Sequence, residues 1–347
     1  MKSKTTRQKI LITNAKNLST IEDKSINLIV TSPPYPMISM WDEIFYSLDE
    51  KITPELITKK PYVAFELMHH QLNQVYDEAL KKLKDDGIVC INIGDATRTC
   101  NGQFALFPNG AKTIAYFQAK GFSLLPPIIW NKPTNSPNKF MGSGMLPVGA
   151  YNTLEFEHIL IFRKTKRDFS KPTEKANRNA SAFFWNERNL WCSNIWDFVG
   201  TSQTNKNTSR TRNGAFPLEL PYRIIAMWSV VGDTVLDIFA GTGTTLLAAA
   251  ALKRNGIAVE LIPEFKNEMI DRLIEAKANL NQKNLKRIEI YREFLNQWQI
   301  KKAKEVKYHN EILNLPVMTK QEILIQIPII KDLKEKEEEE EIIVEYE

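Results

Sequence analysis

One stretch of the chain, residues 234–261, has the pattern of a strand, a glycine-rich turn, a helix and a second strand. Thr234 to Phe239 is apolar, Ala240 to Thr245 contains two glycines, Leu246 to Leu252 opens a helix, and Gly256 to Leu261 is apolar again. Further strand and helix patterns alternate with similar spacing along the chain. The sequence therefore predicts an α/β fold with a doubly wound, mostly parallel sheet.

The predicted domain organisation follows from where this alternation holds. Asp85-Asp86-Gly87 should end a first long helix, because glycine suits the left-handed C-terminal position. We predict a catalytic domain over residues 1–280, a region inserted within it at 164–213, and a charged, helical C-terminal extension over 281–347. Other predicted strands are Ile26–Val30, Ile88–Ile93, Leu124–Trp130 and Glu157–Arg163, and other predicted helices are Glu66–Lys84, Gly110–Lys120 and Phe216–Trp228.

A loop stiffened by prolines follows the first of these strands. Thr31 to Pro36 has the sequence TSPPYP, and each proline fixes its own φ, removes a backbone donor and keeps the preceding residue extended. The loop offers a hydroxyl, carbonyls without competing amides and an aromatic face, at the strand end where open α/β sheets bind ligands. It suits a flat base that carries an exocyclic amino group, and the alternative is a stiff turn without chemistry.

The glycine-rich turn has a chemistry of its own. Glycine lets the backbone approach a ligand closely because it lacks a Cβ atom. Glu260 follows Asp237 at the spacing of an acidic residue that binds ribose hydroxyls. The turn lacks the three spaced glycines of a dinucleotide site and the Gly-Lys-Ser/Thr of a phosphate loop. A nucleoside cofactor without phosphates fits better; S-adenosylmethionine is the common one, and an aromatic face such as Phe239 would favour its sulfonium.

In this order, the two motifs resemble those of amino-group-specific DNA methyltransferases of the β arrangement. Thr31 to Tyr35 matches the catalytic motif of that family, and Asp237 to Thr245 matches its cofactor motif, with Ile238 in place of the usual proline. The resemblance covers about residues 8 to 280. It implies a Rossmann-like fold with circularly permuted motifs that binds S-adenosylmethionine. The cofactor-binding residues that it implies are Thr31, Phe216, Pro217, Asp237, Phe239, Gly241, Thr242, Gly243, Thr244, Thr245 and Glu260.

The resemblance also implies direct methyl transfer to an exocyclic nitrogen of a base flipped out of the duplex. The catalytic residues would be Ser32, Pro33, Pro34, Tyr35 and Asp95. Ser32 Oγ and the Pro33 carbonyl would accept hydrogen bonds from the amine, and Tyr35 would stack on the base. Asp95 would be a proton acceptor or polar relay, with a helix-cap carboxylate as the structural alternative.

Serine at position 32 resembles the branch of the family that methylates the N4 amine of cytosine. The adenine-N6 branch usually has aspartate or asparagine there, and it stays the alternative. Methylation of cytosine C5 is disfavoured, because it needs a cysteine thiolate that normally follows proline, and none of Cys90, Cys100 and Cys192 does. An RNA base, a protein side-chain amide and a non-catalytic nucleic-acid-binding role are further alternatives. A zinc base deaminase would need His-x-Glu and Pro-Cys-x-x-Cys motifs, which this chain lacks.

The predicted insert, residues 164–213, concentrates the positive charge of the chain. It holds ten Lys and Arg against four Asp and Glu, while the whole chain has a net charge of only +5. Aromatic residues are interleaved, which suits contacts with phosphates and stacking on bases, although a solvated loop with buried aromatics would look similar. The predicted DNA-binding residues are Lys164, Lys166, Arg167, Lys171, Arg178, Arg188, Arg210 and Arg212.

Composition sets the remaining expectations. The chain of 347 residues is 43% hydrophobic and 25% charged, which is typical of a soluble globular protein. It has no apolar run of about 18 residues that would predict a membrane span. Three irregularly spaced cysteines fit a reducing, cytoplasmic setting, and His69-His70 has no further ligand at metal-binding spacing. The expected partner is double-stranded DNA, with a cognate restriction endonuclease and a homodimer as possibilities by analogy.

Overall fold

The computed structural model describes residues 4–132, 142–198, 216–336 and 339–347. A mixed β-sheet with helices on both faces forms its centre. The strands are β1 (Thr5–Ile12), β2 (Ile26–Thr31), β3 (Leu83–Ile93), β4 (Ala96–Cys100), β5 (Gln103–Phe107), β6 (Ser123–Leu124), β7 (Ile128–Asn131), β8 (Phe156–Arg163), β9 (Ile195–Asp197), β10 (Thr234–Asp237), β11 (Asn255–Glu260), β12 (Tyr308–Asn310), β13 (Leu315–Val317), β14 (Ile330–Lys336) and β15 (Glu341–Tyr346). The helices are α1 (Asp42–Leu48), α2 (Pro54–Lys59), α3 (Pro61–Lys82), α4 (Asn109–Ala119), α5 (Pro172–Ala180), α6 (Trp185–Trp191), α7 (Glu219–Trp228), α8 (Thr244–Ala251), α9 (Phe265–Glu275) and α10 (Lys277–Lys302).

The main sheet has the strand order β14-β15-β1-β11-β10-β2-β3-β8-β7-β9, and β6 pairs with β8. Parallel pairing joins the five central strands, from β1 through β11, β10 and β2 to β3. Antiparallel pairs extend the sheet on both sides, through β15 next to β1 and β8 next to β3. The predicted doubly wound, mostly parallel α/β fold is confirmed.

Two apolar layers cover the faces of the sheet. All six residues of β2 are buried, as expected of a central strand with helices on both sides. On one face α3 packs through residues such as Met68, Leu72 and Tyr76. On the other face α7 and α8 lie side by side, and every residue of α8 is buried. Its four consecutive alanines let α8 approach the sheet closely.

The carboxyl ends of the central strands meet at one edge of the sheet, which we call the C-terminal edge. Thr31, Asp237 and Glu260 are the last residues of β2, β10 and β11. Because β8 runs antiparallel to β3, the first residues of β8 also lie at this edge, and His158 pairs with Ile93. The proline loop and the glycine turn therefore start side by side.

Three local predictions need correction. Helix α3 ends at Lys82 and β3 begins at Leu83, four residues before Gly87, because Leu83 already pairs with Ile26 across an irregularity in the ladder. The predicted strand over Leu124–Trp130 is split into β6 and β7, since Pro126 and Pro127 between them have no amide for pairing. The sequence analysis also missed β1, whose burial alternates only at its start.

The predicted helical extension over residues 281–347 is helical only as far as Lys302. Beyond it, β12 and β13 form a hairpin, and β14 and β15 return to the main sheet. Ile342, Val344 and Tyr346 alternate along β15 and are buried on one face. This period of two was hidden by the acidic run that precedes it, so the extension completes the sheet instead of forming a separate helical unit.

Candidate active site

Asp237 joins the two sequence motifs at the C-terminal edge. Its buried carboxylate accepts hydrogen bonds from Thr31 Oγ1 (2.8 Å), Thr245 Oγ1 (2.6 Å) and the amide of Phe239 (3.1 Å). Burial raises the pKa of Asp237 to about 6, and the hydrogen bonds oppose this shift by stabilising the ionised form. Thr31, Asp237 and Thr245, which were predicted to bind the cofactor, thus bind one another as a support beneath the glycine turn, and their role in cofactor binding stays a prediction.

The glycine turn has the backbone that its sequence predicts. Gly241 and Gly243 have φ values of +53° and +77°, in the left-handed region that favours glycine. A Cβ atom on Gly243 would lie 2.8 Å from Cγ of Met269, so this position also needs glycine for packing. Glu260 shapes the turn, because its Oε2 accepts a hydrogen bond from the Gly241 amide (2.8 Å).

A cavity of about 390 Å³ lies between the glycine turn and the proline loop, and we call it the central cavity. Apolar side chains form much of its wall. The predicted residues that line it are Ser32, Pro34, Phe216, Phe239, Gly241, Thr242, Thr244 and Glu260. The sequence analysis missed Thr13, Asn14 and Ala15 of the wall. They follow β1, and recognising β1 as the parallel neighbour of β11 would have placed them here.

Tyr35 lies beside the central cavity and is held by a hydrogen-bond network. Its hydroxyl is 3.0 Å from Ser32 Oγ, donates to Glu157 Oε2 (2.9 Å) and accepts from Asn92 Nδ2 (2.9 Å). Its ring lies against Gly94, where a Cβ atom would come within 3.0 Å of Tyr35 Cε2. Burial and the negative charge of Glu157 raise the pKa of Tyr35 well above its usual value, so its hydroxyl stays protonated.

Glu157 is a residue of this site that the sequence analysis did not find. It is the second residue of β8, and the pairing of β8 with β3 brings it next to Asn92, whose Nδ2 donates to Glu157 Oε2 at 2.6 Å. Lys132 Nζ lies 3.0 Å from Glu157 Oε1, and the side chain of Glu157 is only 14% exposed. Glu157 began a predicted strand, but the direction of that strand, which brings Glu157 to this edge, has no local signal in the sequence.

Buried Asn109 holds the proline loop through hydrogen bonds. Its Nδ2 donates to the carbonyls of Pro36 (3.1 Å) and Gly94 (3.0 Å), and its Oδ1 is 2.9 Å from His69 Nε2. Since the Asn109 amide nitrogen donates elsewhere, His69 is the donor in this contact. Burial lowers the pKa of His69 to about 4, which keeps the ring neutral.

Asp95 has the contacts of a helix cap. Its Oδ1 accepts a hydrogen bond from the amide of Gly110 (2.8 Å) in the first turn of α4. Its Oδ2 is 3.8 Å from His158 Nε2. These contacts support the structural alternative, and a role for Asp95 in proton transfer stays a prediction.

The structure places the described basic residues of the predicted insert far from Ser32. Arg163, the last residue of β8, pairs with Ile88, five residues before the carboxyl end of β3, and the chain then continues towards the opposite edge of the sheet. Arg167 there forms ion pairs with Asp233 and Glu174. Lys166, Arg167, Arg178 and Arg188 line a second cavity of about 770 Å³ at that edge. Lys164 Nζ lies over the ring of Phe122, and Lys171 precedes α5; Arg210 and Arg212 lie outside the described residues.

A family model for DNA methylases, of the type that modifies N6 or N4 amino groups, matches residues 26–271. The chain belongs to this DNA methylase family. The match includes the proline loop, β8, the insert and the glycine turn, and of the cavity wall described above it leaves out only Thr13, Asn14 and Ala15, which precede residue 26. The family covers both N6 and N4 methylases and leaves the base open.

Similar proteins include two archaeal enzymes of known name. The type II methyltransferase M.MthZI of Methanothermobacter thermautotrophicus is 44% identical over 321 residues, which cover 91% of this chain and 89% of that protein. The type II methyltransferase M.MjaI of Methanocaldococcus jannaschii is 47% identical over 292 residues, covering 81% and 94%.

Solved structures support the fold. TTHA0409 of Thermus thermophilus, in complex with S-adenosyl-L-methionine, has a TM-score of 0.60 and 30% identity over 77% of this chain and 95% of that one. PvuII DNA methyltransferase, which is cytosine-N4-specific, has a TM-score of 0.52 and 22% identity over 76% and 85%. At that identity the second structure shows only a shared fold. In the part of the chain that the structure describes, no helix is long and apolar enough to cross a membrane, and no group of acidic, His and Cys residues could hold a metal ion.

Proposed function

We propose that this DNA methylase transfers the methyl group of S-adenosylmethionine to the N4 amine of a cytosine flipped out of duplex DNA. The observation that carries the proposal is the position of Ser32, which faces the central cavity while its hydroxyl contacts Tyr35. One side chain of the proline loop is thereby exposed to both the cofactor side and the base side of the site.

The residues around the central cavity fit a nucleoside cofactor. Gly241 has open space where a Cβ atom would be, so a ligand can approach its backbone. Among the described residues, only the Gly241 amide donates to Glu260 Oε2, and a carboxylate oxygen can accept another hydrogen bond, from a ribose hydroxyl. Ile238 and Phe239 offer apolar surface to an adenine ring, and Asn14 offers both a donor and an acceptor to its edge. S-adenosylmethionine would supply an already activated methyl group.

The methionine end of the cofactor would lie between the glycine turn and Phe216-Pro217. Phe216 lines the central cavity, and Thr242 and Thr244 contribute the turn on the other side. Phe239 belongs to the same wall and could face the sulfonium. This arrangement would point the methyl group towards the proline loop, where Ser32 and Pro34 form the wall.

The flipped base would bind on the far side of the proline loop. Ser32 Oγ and the Pro33 carbonyl would accept hydrogen bonds from the exocyclic amine and aim its lone pair at the methyl group. Most of the rate enhancement would come from alignment of two bound reactants. Because the hydroxyl of Tyr35 is bound to Glu157, the ring has a fixed orientation, and a base could stack on its outer face.

Serine at position 32 is our reason to prefer cytosine N4, and adenine N6 is the alternative. A hydroxyl can both accept from and donate to neighbours, whereas an aspartate there would add a negative charge beside Glu157. The names of the archaeal relatives suggest a restriction-modification setting, with an endonuclease that recognises the same sequence. A homodimer belongs to the same proposal, whereas the described basic residues of the insert lie at the opposite edge of the sheet and are left out of the DNA contacts proposed at this site.

The test is to incubate the protein with duplex DNA and labelled S-adenosylmethionine, digest the DNA and identify the labelled nucleoside. We expect N4-methylcytosine, and a Ser32→Ala variant should lower the rate without weakening cofactor binding. N6-methyladenine would overturn the choice of base. If the cofactor binds but no DNA nucleoside is labelled, the proposed substrate is wrong, and RNA and protein would be tested next. Sequencing of the methylated DNA then gives the target sequence.

A further inference from the structure

A chain of three oxygen atoms leads from the central cavity into the protein. Ser32 Oγ lies at the cavity wall, Tyr35 OH is 3.0 Å from it, and Glu157 Oε2 is 2.9 Å further on. The hydroxyls at its start and middle can each give a proton and accept one. The carboxylate at its end can only accept while it is ionised. Each link has the length of an ordinary hydrogen bond.

Glu157, at the end of this chain, has a cation and an amide donor beside it. Lys132 Nζ is 3.0 Å from Oε1, and the ammonium also lies over the ring of Trp130. Asn92 Nδ2 donates to Oε2. The other titratable groups nearby are the phenol of Tyr35 and the Asp95–His158 pair, in which His158 follows Glu157 on β8.

We propose that Glu157 receives the proton that the amino group loses on methylation, relayed through Ser32 and Tyr35. The nitrogen forms a bond to the methyl carbon as the carbon–sulfur bond of the sulfonium breaks, and the sulfur keeps that electron pair. The amine then gives one proton to Ser32 Oγ, Ser32 gives its proton to Tyr35, and Tyr35 gives its proton to Glu157. Charge balances, because a positive sulfonium and a negative Glu157 carboxylate are converted into a neutral thioether and a neutral carboxylic acid.

The proposal rests on the proposed methyl transfer to DNA, and it assigns the three residues different roles. Tyr35 passes the proton on and is not itself the base, since its phenol is buried beside a carboxylate. Ser32 is the group that touches the substrate. Glu157 has no place on the wall of the central cavity, so removing its charge should leave cofactor binding unchanged.

The test compares Glu157→Gln and Tyr35→Phe with the wild type in single-turnover methylation of unmethylated duplex DNA that carries the target sequence. Both variants should lose about 100-fold or more in rate and bind S-adenosylmethionine with unchanged Kd. The double variant should be no slower than either single one, because one relay is broken in both. Exposed Glu155, two residues earlier, provides the control Glu155→Gln, which should behave as wild type.

Each outcome decides the matter. A wild-type methylation rate in Glu157→Gln would overturn the relay and leave the methyl transfer intact. Losses that add in the double variant would also overturn it, since the residues would then act separately. If the wild type methylates no DNA, the proposed function fails and the relay with it. If Glu157→Gln does not bind the cofactor, Tyr35→Phe, which keeps the ring, decides the test.

A second inference rests on a different feature, an apolar loop tip at the C-terminal edge. Residues 142–150 form a closed loop in which Gly142 bridges to Ala150 and the Ser143 amide donates to the Gly149 carbonyl (2.9 Å). At its tip, the exposed fractions of Met145, Leu146 and Val148 are 86%, 70% and 99%. Consecutive apolar side chains this exposed are a cost in water unless they bind something.

The base of this loop is fixed next to the proposed base site. The ring of Tyr151 stacks on Phe104 in the β4–β5 hairpin, with centroids 4.4 Å apart and planes at 7°. The chain then enters β8, where Glu157 is the sixth residue after Tyr151. The apolar tip therefore lies at the C-terminal edge, which carries the proline loop. It belongs to the segment that leads into β8, the strand of the proposed proton acceptor Glu157.

We infer that this tip is a wedge that enters the DNA duplex and fills the space left by the flipped base. Met, Leu and Pro side chains serve as such wedges in other DNA-binding proteins. The inference also rests on the proposed methylation of a flipped base. The favourable burial of the tip would offset part of the unstacking energy, which is smaller at a mismatched base.

The test is a variant with Met145→Ser, Leu146→Ser and Val148→Ser, titrated with two duplexes that differ only in a mismatch at the target base. The loss in affinity should be at least ten-fold on the matched duplex and clearly smaller on the mismatched one. Ile300→Ser on α10, where the isoleucine is 83% exposed, is the control and should change neither. Equal losses on both duplexes, or none, would overturn the wedge. A wild-type dimer that becomes a monomer in the variant would overturn it too, and would assign the tip to contact with a second copy.

Discussion

A single buried carboxylate, that of Asp237, aligns the proline loop with the glycine turn. Thr31 donates to it from the proline loop and Thr245 from the glycine turn, and Thr31 is 206 positions away from Asp237 in the chain. Each hydroxyl donates to a carboxylate oxygen that burial has removed from contact with solvent water. The geometry of the candidate active site therefore depends on hydrogen bonds between protein side chains beneath the site.

We predict that Thr31→Val destabilises the protein by about 1.5 to 3 kcal/mol at pH 8, because a buried charged acceptor loses a hydrogen bond. The loss should be smaller at pH 5. Asp237 has a folded-state pKa of about 6, so at pH 5 it is largely protonated and depends less on donors. Urea unfolding at both pH values measures this, with Thr58→Val on exposed α2 as the control. Equal losses at both pH values would contradict the role of the charge.

His69 lies behind the proline loop as a neutral donor to Asn109. Burial lowers its pKa from 6.5 to about 4, so the unfolded chain takes up the proton before the folded one does. The stabilisation from the neutral ring is complete above pH 6.5 and is lost as the pH falls towards 4.

His69→Gln keeps a donor for Asn109 and removes the titration. Between pH 7 and pH 4, the free energy of unfolding of the wild type should fall by about 3 kcal/mol relative to this variant, from 2.5 pKa units at 1.36 kcal/mol each. Groups that titrate alike in both proteins cancel in the difference. His70→Gln at the exposed neighbouring position is the control. Parallel stability curves for wild type and His69→Gln would show that the ring is not kept neutral.

At the scale of elements, a bidentate ion pair joins α6 of the insert to α10. Arg287 Nε and Nη2 donate to Glu187 Oε1 (2.6 Å) and Oε2 (2.9 Å), and the two side chains are only 10% and 7% exposed. The guanidinium also faces the rings of Phe184, Trp191 and Tyr222. The insert is thus anchored to the C-terminal part of the chain, which explains why its helices lie away from the proposed base site.

Glu187→Gln should destabilise the protein by about 3 kcal/mol, because it leaves the charge of Arg287 buried without its partner. The double variant Glu187→Gln, Arg287→Met should lose less than the two single variants together, since the apolar surroundings accept methionine. A double-mutant cycle in urea measures this. Strict additivity would show that the two charges act independently.

At the scale of the whole molecule, the C-terminal strands protect an edge of the central sheet. β15 pairs with β1 over five residue pairs, and the Tyr346 hydroxyl donates to the carbonyl of Ala250 in α8 (2.7 Å). Without β15, β1 would be an open edge strand next to the cofactor-side strand β11.

We predict that removing residues 329–347 lowers Tm and causes association that increases with protein concentration. Val344→Asp in the full chain should lower Tm as well, because it puts a charge at a fully buried position of β15. Lys331→Gln, at an exposed position of β14, should not. Calorimetry and sedimentation velocity test both effects. A shortened protein that keeps its Tm and stays monodisperse would show that the strands are dispensable.

Local patterns in the sequence were enough to predict the parallel core and both motifs. A strand, a glycine turn and a helix differ in periodicity and in residue type, so ten residues or fewer are enough to tell them apart. Two prolines after an apolar run are recognised over a similarly short stretch. The residues that line the central cavity from those motifs, among them Ser32, Phe239 and Glu260, could therefore be named in advance.

Only the tertiary structure decided which distant residues complete the site. Glu157 reaches Tyr35 across 122 positions because β8 runs antiparallel to β3, and strand direction has no local signal. The same reversal carries the basic insert to the opposite edge, and β15 joins β1 from the far end of the chain. Pairing partners and strand direction depend on packing of the whole sheet, so these placements could not be obtained from the sequence alone.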